Sequence, residues 1–229
     1  MRFRPFLMIA IALSFFSTLV LAGPPLICHT YDIGGAASLP WKGSGFRDLD
    51  PAYDLNKLSQ DTLAILNEKT PLLVRMETIR RAVVYSQWGL VDKKVVTKIN
   101  DDRYARQLLA ELLERARQAE KRGPGSRSAA LAQFDAGYLI ESLKDADYKK
   151  EQMAGLDGLL MVRKARTILQ SGDFDFAIAK ILSHYPNRRN EVAASVRAAA
   201  AQAGEGSLLA RNLLSHFPES GSTLTALRR

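Results

Sequence analysis

PLLVRMETIRRAVVY, residues 71–85, is the stretch that decides the fold. Leu72, Met76, Ile79 and Val83 recur at spacings of four, three and four, and a helix turning 100° per residue brings all four to one face. Thr70 suits the N-cap and Pro71 the first helical position, where a missing N–H leaves no bond unmade. Gly89 marks the stop.

The same period runs on towards the C-terminus. Asp101 reads as the next cap. Ala105, Leu108, Leu112, Ala116 and Ala119 then turn inward, while Arg103, Glu111, Arg115 and Lys121 face water. Glu111 and Arg115 form an i,i+4 pair worth a few tenths of a kcal/mol. Gly123-Pro124-Gly125-Ser126 is a loop. Helices follow over about 128–144 and about 156–170, the second with Met161, Val162, Ala165, Ile168 and Leu169 on one face and Asp157 at its start. After Ser171-Gly172, Phe174, Ala177, Ile178, Ile181, Leu182 and Tyr185 keep close to a 3.6-residue period. Val192, Val196, Ala199 and Ala203 line one side of an alanine-rich helix. Only Val95-Val96-Thr97 reads equally well as helix or strand.

Ala177–Pro186, AIAKILSHYP, is echoed 32 residues later by Leu209–Pro218, LARNLLSHFP. A period in the low thirties with two helices per unit belongs to helix-hairpin solenoids; the competing reading is two unrelated helices that end alike. The expected fold is all-α, about seven or eight helices as antiparallel hairpins over 54–218, with a short degenerate α-solenoid left open. Residues 219–229 read as a flexible tail.

Upstream, the texture changes. Residues 23–53 hold Gly23, Gly34, Gly35, Gly43 and Gly45 with Pro24, Pro25, Pro40 and Pro51, and carry no helical stripe. They read as an extended arm, with Cys28, Tyr31, Ile33, Leu39, Trp41 and Phe46 available to lie across the helical body. Residues 1–22 have the order of a secretory signal peptide: Arg2 and Arg4, an apolar run from Phe6 to Leu21, then Val20-Leu21-Ala22 before Gly23-Pro24-Pro25. The chain is thus expected to be exported, periplasmic or extracellular, with no transmembrane segment once the signal is removed after Ala22.

Without residues 1–22 the charge is +6, 30 basic residues against 24 acidic. That balance favours anionic neighbours such as envelope polymers or acidic proteins, although the basic residues are scattered among acids as on a solvated face. A single cysteine, Cys28, permits no internal disulfide, and after Leu26-Ile27 it reads as a small buried hydrophobe. His29 beside it would point to the opposite side of an extended segment. His184 and His216 each sit in a last helical turn, where a protonated ring suits the helix dipole.

The candidate sites are few. Asp135 lies on an apolar stripe with Leu131, Ala132, Tyr138 and Leu139, so it needs a partner; Arg75, flanked by Leu72 and Ile79, is the candidate for a structural pair. Asp135 or Glu141 is the candidate general acid or base if either lines a cleft. Arg163, Lys164, Arg166 and Arg197 make a candidate anion-binding edge, extended by Arg188 and Arg189, but without the interleaved aromatics of specific nucleic-acid binding. Cys28 is a candidate thiol. The chain has no paired-cysteine or HxxxH metal motif, no phosphate loop, no GxSxG and no HExxH, so no metal or cofactor is expected.

ICHTYDIGGAASLPW (27–41), PLLVRMETIRRAVVY (71–85), FDAGYLIESLK (134–144) and GLDGLLMVRKA (155–165) together resemble a group of secreted bacterial helical proteins with no assigned function. The resemblance implies export and a helical body, and carries over no catalytic residue. The expected function is a non-enzymatic exported binding or scaffold protein of the bacterial envelope, holding a protein, peptide or anionic polymer. The alternative is an envelope hydrolase or lyase using a cleft carboxylate.

Overall fold

The computed structural model describes residues 26–88, 90–91, 94–95 and 102–229. The expected export segment, residues 23–25, Gly89 and the expected cap Asp101 lie outside the described residues. Nine α-helices are present among those described: α1 (Leu58–Ile65), α2 (Leu72–Gln87), α3 (Arg103–Arg122), α4 (Arg127–Asp145), α5 (Gly158–Leu169), α6 (Gly172–Leu182), α7 (Arg189–Gln202), α8 (Leu208–His216) and α9 (Leu224–Leu227). A two-residue ladder is present, β1 (Leu90–Val91) with β2 (Lys94–Val95); of the β-branched run that sequence left ambiguous it takes Val95, while Val96 and Thr97 lie outside the described residues. The fold is all-α, made of helical hairpins as the periodicity predicts.

Local chemistry sets most boundaries. Ser126, Asp157, Ser207 and Thr223 each accept a backbone N–H of their own helix through the side chain, relieving one of the first-turn donors. At α2 the expected cap is displaced by one residue. Pro71 is extended and occupies the N-cap, while the Thr70 hydroxyl turns back to the Ile65 carbonyl. The C-terminal tail is a larger correction. Residues 219–229 do not fray: Leu224 and Leu227 of α9 are buried against α7 and α8, and Arg228 donates to the carbonyls of Ala200 and Ala203.

Packing converges on α4, which touches α2, α3, α5 and α6. One apolar cluster runs from Leu26 to Leu227. A solenoid would restrict each hairpin to its neighbours, so the low-thirties echo does not describe this packing. What the echo does describe is an ending: both α6 and α8 pass into a 3-10 turn opened by proline, Pro186 and Pro218. The tightest approach is between α4 and α5. A Cβ on Gly137 would lie 2.6 Å from the Gly158 carbonyl, and one on Gly158 would lie 2.3 Å from the Gly137 carbonyl. Only glycine lets the two backbones cross there.

The arm lies on the body as expected. Leu26, Ile27, Tyr31, Ile33, Leu39 and Leu49 are buried in the common core, each contributing about 1.5–3 kcal/mol of burial. Trp41 stacks under the Arg80 guanidinium at 4.7 Å. Because the arm covers the side of α2 that the body leaves open, every residue of α2 except Arg81 is buried, charged ones included. A single apolar stripe therefore understates that helix.

Candidate functional site

The buried charges of α2 build two sites. At the first, Glu77 receives the arm. Its Oε2 accepts the Tyr31 N–H at 3.0 Å and Arg80 Nε at 2.7 Å; its Oε1 accepts Arg80 Nη2 at 2.9 Å and Arg81 Nε at 2.7 Å. The same arginines reach back to the arm, Arg80 to the Ile27 carbonyl and Arg81 to the Leu39 carbonyl. Every lone-pair direction of the carboxylate is used, and the site is a clasp.

At the second, Arg75 Nη1 meets Asp135 Oδ2 at 2.6 Å, with both side chains 1% exposed. The pairing expected from sequence is present. Arg75 also donates to the carbonyls of Asn67 and Thr70, and Arg115 donates to those of Leu63 and Leu66. Arg115 is thereby drawn away from Glu111, which accepts from Gln107 instead, so the expected i,i+4 pair does not form. Two guanidiniums staple the α1–α2 loop through its backbone. Asp135 Oδ1 has no hydrogen-bond partner. Burial, opposed by Arg75, pushes the Asp135 carboxyl up to about 6. It closes one end of a cavity of about 110 Å³.

Glu141 is placed differently from a cleft acid. Its Oε1 accepts Lys144 Nζ at 2.8 Å and the Leu159 N–H at 3.3 Å, and its Oε2 accepts the Tyr185 hydroxyl at 2.8 Å. The carboxylate joins α4 to the start of α5 and the end of α6, immediately beside the Gly137–Gly158 crossing. It is 2% exposed.

The expected basic edge is divided. Arg163 pairs with Glu191 at 2.8 Å and Arg166 with Asp175 at 2.9 Å, with Arg188 also on Glu191. Arg188, with Arg163, holds the Glu191 carboxyl down at about 2. Arg163 and Arg166 rim a groove of about 420 Å³ between α5, α6 and α7, floored by Ile178 and Leu182. Lys164 and Arg197 lie outside it, exposed. The free basic stripe of the sequence reading is thus half neutralised. Between them, α5 leaves Leu160 and Ile168 exposed, at 48% and 39%. With Lys164 they fall at i, i+4 and i+8, one solvent-facing line along the helix.

Cys28 is half-buried rather than sealed in the core, and burial followed by the Asp145 charge raises its thiol above the usual range. The thiol form dominates at neutral pH, which is the unreactive one. Around it the arm and the ends of α4, α6 and α8 gather groups that sequence periodicity does not connect. Asp145 accepts the Leu26 N–H at 3.0 Å and pairs with His184 Nδ1 at 2.9 Å, raising the His184 imidazole. Lys180 is 3% exposed beside the Phe217 ring, and burial lowers its ammonium to about 8. His216 stacks on Tyr31 at 4.8 Å between centroids. Burial, reinforced by Lys180 and His29, drops it to about 3, so it is neutral and does not cap α8 as a cation.

Among the described residues no group of His, Cys, Asp and Glu is arranged to hold a metal, and no helix is long and apolar enough to cross a membrane. No protein-family model, curated protein or solved structure matches the chain.

Proposed function

We infer that the protein is an exported helical binding or scaffold protein of the bacterial envelope, acting by holding a partner rather than by transforming a substrate. The observation that supports this reading is the surface of α5. Leu160, Lys164 and Ile168 form an exposed apolar and basic line, and the groove rimmed by Arg163 and Arg166 opens between α5, α6 and α7. Exposed large hydrophobics next to a concave, charge-rimmed surface are the features of a protein or polymer contact. The hydrolase or lyase alternative needs a carboxylate free to exchange protons with substrate. Glu141 holds three donors and Asp135 is tied to Arg75, which weighs against that reading.

The test is crosslinking in the cell with the tagged full chain, followed by capture and by sequencing of its N-terminus. A discrete envelope protein or wall fragment is expected, released by high salt and lost in the Leu160→Glu/Ile168→Glu double variant, with a mature N-terminus at Gly23. Capture that ignores the double variant would reject α5 as the contact. Recovery of the bait alone, still starting at Met1, would reject the reading altogether.

A further inference from the structure

The cavity between α2, α3 and α4 shares no residue with the α5 groove, and its chemistry is of another kind. Arg75 and Asp135 form its buried end, Arg115 and Arg122 stand two turns apart on α3, Ser128 comes from the first turn of α4, and Glu68 lies at the exposed mouth. Three guanidiniums face two carboxylates. The carbonyls that Arg75 and Arg115 bind are neutral, so they satisfy donors without cancelling charge. The cavity therefore favours an anion.

It also makes a second demand. Asp135 Oδ1 is a buried acceptor with no donor, so its lost hydration is not compensated. A fully ionised anion would set oxygen against oxygen there. An oxyanion that keeps a proton meets both requirements at once: its O–H donates to Asp135 Oδ1, while its other oxygens accept from the arginines and the Ser128 hydroxyl. At about 110 Å³ the space equals that of roughly four liquid waters, enough for a five-heavy-atom ion and too small for a nucleotide. We propose that this cavity is a binding site for hydrogen phosphate, selected over sulfate by the free acceptor on Asp135. The site goes beyond the partner-binding reading and stands or falls separately from it.

Isothermal titration of the purified full chain with inorganic phosphate, and with sulfate at matched ionic strength, tests the assignment. Phosphate is expected to bind at least about tenfold more tightly than sulfate, the cost of one unmade charged hydrogen bond. Arg122→Ala removes an exposed guanidinium without opening the core and should weaken phosphate by about tenfold. Asp135→Asn turns the acceptor into a site that can donate, so sulfate should gain on phosphate. If that variant fails to fold, the wild-type ratio and Arg122→Ala still decide. Equal binding of both ions, phosphate binding indifferent to Arg122→Ala, or no heat with either ion would each overturn the proposal. The last would mean that water alone fills the cavity.

Discussion

Glu77 and Asp135 are both buried carboxylates held by arginines of one helix, and they are finished to different degrees. Glu77 accepts four hydrogen bonds, three from guanidiniums and one from the arm. Asp135 accepts one, and its second oxygen faces no donor. Buried polar groups in native proteins are nearly always satisfied, so a saturated carboxylate needs only a structural explanation. The unsaturated one is where a molecule from outside has something to complete. Their surroundings agree with this. Glu77 is fully buried beneath the arm, whereas around Asp135 a cavity remains.

Glu77→Gln should therefore be the most damaging of the polar substitutions. It removes a charge that compensates the buried Arg80 and one of the ties holding Tyr31, at a cost of about 3–5 kcal/mol in urea-unfolding free energy. The Tyr31 amide should lose hydrogen-exchange protection in the same variant. Asp135→Asn should cost less, about 1–3 kcal/mol, because Asn can still accept from Arg75, which also keeps the Asn67 and Thr70 carbonyls. Equal losses would break the comparison and make Asp135 as much a clasp as Glu77. Smaller again is Glu141→Gln, expected at about 1–2 kcal/mol since Lys144 keeps the Leu156 carbonyl and the amide still accepts from Tyr185 or Leu159. A cost there as large as that of Glu77→Gln would show that the α4–α5 crossing depends on the Glu141 charge.

The helices were legible because their apolar residues repeat near 3.6, and the Arg75–Asp135 pair because an acid on the Leu131–Leu139 stripe has to find a cation. The clasp was not. Nothing in the spacing of Glu77, Arg80 and Arg81 distinguishes a solvated i,i+3/i,i+4 cluster from a buried one; that depends on the arm, about forty residues upstream. Gly137 inside α4 gives the same lesson. Its reason is the Gly158 carbonyl on another helix, and helix periodicity cannot see it. The gathering of Asp145, Lys180, His184 and His216 near Cys28 depends on where three helices end in space. The pairing within the basic edge was hidden for a related reason: its compensating acids, Asp175 and Glu191, come from α6 and α7.

Acid titration gives the finest test, because His216 and Asp135 respond with opposite signs. His216, beside the arm, is held at about 3 when folded and returns to about 6.5 when unfolded, so below that value the unfolded state binds the extra proton. Stability is lost as pH falls, by about 1 kcal/mol between pH 7 and 5.5. Asp135 runs the other way. Its folded value of about 6 lies above the unfolded 3.9, so the folded state binds the proton first and stability is gained as pH falls from about 6 towards 4. His184, raised by Asp145, has the same sign as Asp135: its contribution is present at low pH and is lost as pH rises through its folded value. In the wild type these terms offset one another over pH 7 to 5.5, and the melting temperature should be nearly flat. His216→Phe keeps the stacking ring and removes the opposing proton, so its stability should climb on acidification. Asp135→Asn should fall over the same interval. Parallel curves for the two variants would mean that His216 and Asp135 do not differ in the sign of their protonation, and the comparison between Glu77 and Asp135 would then rest on hydrogen-bond saturation alone.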